Sequence, residues 1–309
     1  MALMTRAAFP QQYGLAVNRY LNEVRANFIK DRARTAPQYS QIYRMKATDE
    51  EHVAITSQTG FGTYEEVPEG GAPGLQSVQQ GFPKTFSWKE YGSAFAVTEK
   101  MVRFKKFAQM EKMMESMLIA EANSIELLKA VHINNAFSSS YPTPDGKALC
   151  AADHPVIRNG STISNVFTST DMSPASAELV LTAWNSALTD DGYPALLGRP
   201  RVIIPRSMEW IAKKVFDAPM NYTNANNEPN VIKGVIAEIF PYDWLTLSNS
   251  WFLQVAETQS SMNPLTHWWV DKPHGSAHTD PYTGTVTKWR KFFGGEGTTH
   301  HIGIMGVQG

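Results

Sequence analysis

From Glu99 to Phe137 the chain contains neither glycine nor proline, so nothing in that run interrupts a helical backbone. Thr98 stands where an N-cap belongs, with Glu99 in the first turn. The run predicts one helix of about 38 residues, ~57 Å long, more than the width of a small domain. Met110, Met114, Met117, Leu118, Ile125, Leu128 and Val131 recur at spacings of three, four and seven, while Glu111, Lys112, Glu115, Glu121 and Lys129 supply polar faces. The five methionines between Met101 and Met117 have two readings: plain core packing, or adaptable packing that tolerates shifting neighbours.

The segment ahead of this helix has the opposite character. Gly60 to Pro83 holds six glycines and three prolines, including Pro68-Glu69-Gly70-Gly71-Ala72-Pro73-Gly74, which repeatedly breaks regular structure. Strand-like residues flank it: Val53–Thr56 before, Thr85–Trp88 and Phe95–Val97 after. Together they predict a long two-stranded excursion with an irregular tip. A hairpin of that kind is marginal alone and needs a surface to lie against, such as a neighbouring copy of the chain.

Nearer the amino terminus, Tyr13, Val17, Tyr20, Leu21, Val24 and Phe28 form one apolar stripe of a helix ending before Thr35-Ala36-Pro37. Residues 1–46 carry eight Lys or Arg against Glu23 and Asp31, whereas the whole chain has net charge −1. This basic arm reads either as a solvated helix face or as a contact for an acidic partner or nucleic acid.

Beyond Ser138 the sequence is loop-like to Asp171. A helix follows over 174–188, with Ser173 as N-cap, Pro174 at its first position, and Leu179, Val180, Trp184 and Leu188 on its apolar face. Next come strand 201–204, a helix through Trp210, Ile211, Val215 and Phe216, a polar loop 221–230, and strands 235–240 and 251–255. The last 45 residues predict several short strands, ending in 302–307. The fold class is α+β. Charged residues make up 18% of the chain, below the roughly one quarter usual for a soluble domain, which suits a surface covered by partners. A single cysteine, Cys150, excludes an internal disulfide and reads as a small buried hydrophobe. With no signal-like start and no apolar span, a soluble, non-secreted protein with no membrane partner is expected.

Chemistry-bearing motifs are sparse. The sequence has no phosphate loop, paired-cysteine site, H-E-x-x-H or nucleophile elbow. His267, His274, His278, His300 and His301 are the only concentration of metal-ligand types, but Gly275 and Ser276 argue against a helix that would bring His274 and His278 together. Asp153-His154 is an unpromising dyad, because neighbours on an extended strand face opposite ways. No catalytic, metal or cofactor site is expected, and no enzyme activity.

The order of parts, with Val97-Thr98-Glu99-Lys100-Met101-Val102 leading into the long helix, Asn134-Asn135-Ala136-Phe137, the run from Thr143 to Pro155 and Asn249–Leu253, resembles the major head subunits of Mu-like phages. The resemblance covers most of the chain from about residue 10. It implies the Hong Kong 97 type capsid fold, with an N-arm (1–46), an E-loop (52–96), a peripheral domain built on a long spine helix (97–175), an axial domain (176–262) and return strands of the peripheral domain (263–309).

The resemblance also implies hexamers and pentamers tiling an icosahedral head around double-stranded DNA, bound without sequence specificity. A separate scaffolding protein, a portal, assembly in the host cytoplasm and a final place in the virion go with it. Candidate intersubunit contacts are Phe61, Tyr64, Glu65, Glu66, Phe86, Trp88, Arg103, Lys105 and Lys106. Arg19, Arg25, Lys30, Arg32 and Arg34 are the candidate inner-surface arm. Two other readings remain: an encapsulin-like compartment shell, and a metal-dependent enzyme using the carboxy-terminal histidines.

Overall fold

A computed structural model describes residues 9–32, 37–61, 63–158, 160–168, 171–221 and 228–309. Arg34, Thr35, Ala36 and positions 222–227 of the polar loop lie outside the described residues, as do the side chains of Tyr13, Lys30 and Arg32.

The amino-terminal stripe forms α1 (Phe9–Arg32), followed by the short α2 (Tyr39–Ile42) and β1 (Arg44–Ala47). Strands β2 (His52–Gln58) and β3 (Gln80–Ser87) pair antiparallel, with His52 opposite Ser87 and Gln58 opposite Gln80. The two-stranded part of the excursion therefore closes at Ser87. The next strand-like segment, β4 (Lys89–Val97), belongs to a different sheet.

The Gly- and Pro-free run is not one helix. It divides into α3 (Glu99–Arg103) and α4 (Phe107–Asn134). Lys105 adopts φ +53°, Lys106 N–H bonds the Met101 carbonyl and Lys105 N–H the Val102 carbonyl, each at 2.9 Å. These are the paired bonds of a Schellman stop, with a lysine where glycine is usual, so composition gave no sign of it. Thr98 is extended at the cap position, but its side chain makes no capping bond. At ~42 Å, α4 is still the longest helix.

Short strands β5 (His154–Pro155), β6 (Thr162–Ile163) and β7 (Val166–Thr168) lie in the loop-like stretch. Helix α5 (Pro174–Asn185) starts in a Ser173/Ser176 capping box with Pro174 next, as the sequence predicts. Its buried face is Ala177, Val180, Leu181 and Trp184; Leu179 is exposed and Leu188 lies past the helix end. Then come β8 (Pro200–Pro205), a 3-10 turn, α6 (Glu209–Phe216), β9 (Glu238–Tyr242) and β10 (Trp251–Val255). Trp210 and Ile211 point to solvent while Val215 and Phe216 are buried.

The carboxy-terminal region differs from the expected short strands: β11 (Leu265–Thr279) and β12 (Val286–Thr298) form one long antiparallel pair before β13 (Ile304–Gln308). Glycines in β12 allow close packing; a Cβ on Gly297 would stand 2.2 Å from the Phe86 ring.

Two sheets organise the chain. One has order β1-β11-β12-β4; the other has order β7-β13-β10-β8-β9. In the five-stranded sheet both faces are covered, so side chains alternate between two cores. Val202, Ile204, Trp251 and Leu253 meet α5 and α6 on one side. Ile203 and Phe252 meet Ile42, Tyr43 and Ile133 on the other. A third core joins Val17, Leu21 and Val24 of α1 to Met110, Met114 and Met117 of α4 and to Val97 and Val286 of the other sheet. Lys129, placed on a polar face by periodicity, is buried instead. Among the described residues no helix is long and apolar enough to cross a membrane.

Candidate functional site

The glycine-rich tip between β2 and β3 has no regular secondary structure and keeps its large apolar side chains in solvent. Tyr64 is 95% exposed and Leu75 fully so; Phe61, Val67 and Val78 are also exposed, beside Glu65, Glu66 and Glu69. Repeated turn residues prevent the tip from folding onto itself, and an apolar patch held out this way is a candidate contact surface.

Four of the nine expected contact residues, Phe61, Tyr64, Glu65 and Glu66, lie at that tip, and two others, Phe86 and Trp88, pack within the subunit instead. Phe86 is buried at 6% exposure, stacked on Trp268 with ring centroids 4.8 Å apart. Trp88 is half-buried against the same indole and donates from Nε1 to the Glu50 carbonyl at 2.7 Å. Both anchor the stem of the hairpin, because strand alternation turns Phe86 toward the sheet below. Lys84 adds a bond to the Pro142 carbonyl, and burial pushes its amine down to about 8. At the neck, Gly60 N–H is accepted by both Asp191 carboxylate oxygens, at 2.9 and 3.0 Å.

The elbow between α3 and α4 is the second surface. Arg103, Lys105 and Lys106 are all exposed, flanking exposed Phe104 and half-open Phe107. Beside it, Ala94, Phe95, Lys112, Met113 and Met117 line a groove of about 420 Å³ between β4 and α4. Strand β4 is an edge strand, so it offers unpaired backbone groups there. The arm is less uniform than expected: Arg19 is exposed, whereas Arg25 is partly buried, and burial followed by repulsion from Arg290 lowers its proton affinity.

The histidines do not converge as a carboxy-terminal metal site. His274 and His278 lie on strand β11, His274 bonding the Lys272 carbonyl, and His300 bonds the Ser261 carbonyl. His267 accepts from Lys129 at 2.6 Å. A cluster that sequence reading missed joins Asp145, His154 and His301. His154 Nδ1 lies 2.6 Å from Asp145 Oδ2, while the adjacent Asp153 pairs with Lys147. Burial opposes the Asp145 charge, but bonds from His154 and Thr143 outweigh it and hold the carboxyl at about 2. The two imidazoles stack with centroids 4.1 Å apart and planes within 6°. Nitrogen lone pairs lie in the ring planes, so parallel rings cannot aim at one ion, and the group fits hydrogen bonding better than chelation. No local signal gave this cluster: its members are brought together by a turn and a distant strand connection.

A family model described as phage capsid protein matches residues 83–298. No curated protein matches the sequence. Among solved structures, the chain resembles one from Mycobacterium phage Patience at 14% identity, over 99% of this chain and 88% of that one, with TM-score 0.53. It resembles the capsid of cyanophage P-SCSP1u at 8% identity, over 88% of each chain, with TM-score 0.55. The decorated capsid of bacteriophage JBD30 matches at 15% identity, over 68% of this chain and 92% of that one, with TM-score 0.54. At such identities the likeness establishes a shared fold, the mixed helix-and-sheet Hong Kong 97 type. With the sequence match running through both sheets and the long helix, the chain belongs to the phage capsid protein family, whose members are structural components of the virion that assemble with copies of themselves.

Proposed function

We propose that this chain is the major head subunit of a Mu-like tailed phage, forming hexamers and pentamers of an icosahedral shell around double-stranded DNA. In this reading residues 1–46 are the N-arm, the hairpin from His52 to Ser87 with its tip is the E-loop, α4 is the spine of the peripheral domain, and the five-stranded sheet with α5 and α6 forms most of the axial domain. Scaffolding protein, portal and packaged DNA are its further partners, the exposed Arg19 face of the arm being the surface offered to the last.

One observation carries the proposal: a single chain presents an acidic, apolar loop tip and a basic, aromatic elbow, both exposed, with Arg103 bonded to Glu99 and Lys105 and Lys106 open to solvent. Two unlike patches on identical chains give head-to-tail contacts, which close into rings. Glu65, Glu66, Tyr64 and Phe61 of one copy would meet Arg103, Lys105, Lys106 and the β4–α4 groove of the next. The test is deletion of residues 63–78, joined by a short turn, with particles followed by electron microscopy and sizing in the presence of the scaffold. The variant is expected to stay folded and form no shells; shells of normal size would overturn the E-loop assignment. Reversing charge at Glu65 and Glu66 should block assembly, and reversing Lys105 and Lys106 as well should restore it.

A further inference from the structure

Behind the neck of the extended loop, three segments bring charged groups together. Asn165 fixes the first: its Nδ2 donates to the carbonyls of Leu149, His301 and Ile304, and its Oδ1 accepts from Ala151 N–H at 2.8 Å. His154 therefore faces acceptors on both sides, Asp145 Oδ2 at 2.6 Å and Asn165 Oδ1 at 3.2 Å. The stacked His301 has Nδ1 4.0 Å from Asp145 Oδ2, which favours the proton on that nitrogen. Its Nε2 is then a bare lone pair; it is buried, has no partner, and faces Asp190 Oδ1 across 3.9 Å. A lone pair opposite a carboxylate repels, which accounts for the gap. The neighbouring Asp191 holds Gly60 N–H at the loop neck.

We propose that His301 and Asp190 form an acid-operated latch on the extended loop: one proton shared between Nε2 and Oδ1 closes their gap, draws the turn at 190–191 inward and withdraws the Asp191 carboxylate from Gly60. The proton comes from solvent, and no covalent bond changes. Burial, then Asp191 and Asp145, raise the affinity of Asp190 for that proton, whereas burial and the neighbouring His154 hold His301 down to about 3. The carboxyl thus takes it first and donates to Nε2. The other titratable groups around the pair are Asp145, Lys147, Asp153 and His154 on the 142–155 loop, His300 beside His301, Asp191 on the turn, and Lys84 on β3.

The latch is tested on the full-length, unassembled chain, so its outcome is separate from that of the assembly proposal. Hydrogen–deuterium exchange of peptides spanning Gly60 is followed from about pH 7.5 to about pH 4.5, corrected for intrinsic exchange. Protection in the wild type is expected to fall by about tenfold on acidification. Asp190→Asn, whose amide donates to Nε2 at every pH, should show the loosened neck already at neutral pH, with a flat profile. His301→Phe should keep the neck protected throughout. A flat wild-type profile, or an Asp190→Asn profile that tracks the wild type, overturns the proposal; the second comparison stands even where His301→Phe fails to fold.

Discussion

Lys129 on α4 donates to Glu296 on β12 at 2.8 Å, joining the long helix to the four-stranded sheet through its interior. Lys129 is 1% exposed, and its ammonium also meets His267 Nδ1 at 2.6 Å. An ammonium has no lone pair, so His267 accepts there and carries its proton on Nε2. Burial lowers the proton affinity of Lys129 despite Glu296; burial also opposes the Glu296 charge, but the bonded Lys129 ammonium outweighs it and holds that carboxyl at about 2.

Breaking this pair should cost more than removing it. Lys129→Met leaves a buried carboxylate with a lost partner, an expected loss of about 3–5 kcal/mol in urea unfolding. Lys129→Met with Glu296→Leu should recover most of that loss, since well-packed apolar replacements of buried pairs are often neutral or better. Additive losses would mean that the two residues do not act as a unit.

The same carboxyl sets an acid limit. Its folded-state value is depressed, so its contribution is full above the ordinary carboxyl range, near pH 4.3, and drains away as pH falls toward about 2. Asp145 titrates low as well, so the readout is the difference between wild type and Glu296→Gln. Their stabilities should converge between about pH 4.5 and about pH 2. A gap that stays constant over that window contradicts the assignment.

The hairpin stem rests on Phe86. Phe86→Ala should destabilise by about 3–5 kcal/mol, because its ring fills the space over Trp268 and Gly297. Gly297→Ala tests the same contact from below: the new methyl meets the Phe86 ring, and a loss of about 1–3 kcal/mol is expected. Trp fluorescence and thermal unfolding report both.

Helix α1 is held by a buried clasp. Lys288 Nζ, 1% exposed as a residue, donates to Asn18 Oδ1 at 2.7 Å and Asn22 Oδ1 at 2.9 Å. Replacing both asparagines by alanine strands the ammonium, with an expected loss of about 1–3 kcal/mol per acceptor. Limited proteolysis should then cut within α1 before the remainder of the chain. Equal resistance in wild type and variant would show that apolar packing alone holds the arm.

The methionine seam separates two ideas by assembly rather than stability. Leucine at Met110, Met114 and Met117 conserves volume, so each change should cost less than about 1.5 kcal/mol. If adaptable thioethers let one subunit fit differing environments, the triple variant should fold normally yet give misshapen or immature particles. Normal maturation would leave plain core packing as the explanation.

Local order was legible wherever it depends on neighbours in sequence. The Ser173 cap, the stripe of α1, the Val202–Ile204 run of β8 and the turn-rich tip all follow from side chains within a few positions of one another. What tertiary structure alone decided involves residues far apart. Lys105 stops a helix that composition allows to continue, since a lysine can take the left-handed stop when the surrounding bonds favour it. Phe86 and Trp88 belong to the stem rather than the exposed tip because Trp268, nearly two hundred residues later, supplies their partner. Lys129 turns inward because Glu296 and His267 wait there, and His154 pairs with Asp145 rather than Asp153. Sequence fixes the periodicity of a segment, while burial of a charge or ring depends on whether distant chain brings a counter-charge or a flat apolar face, which periodicity does not encode.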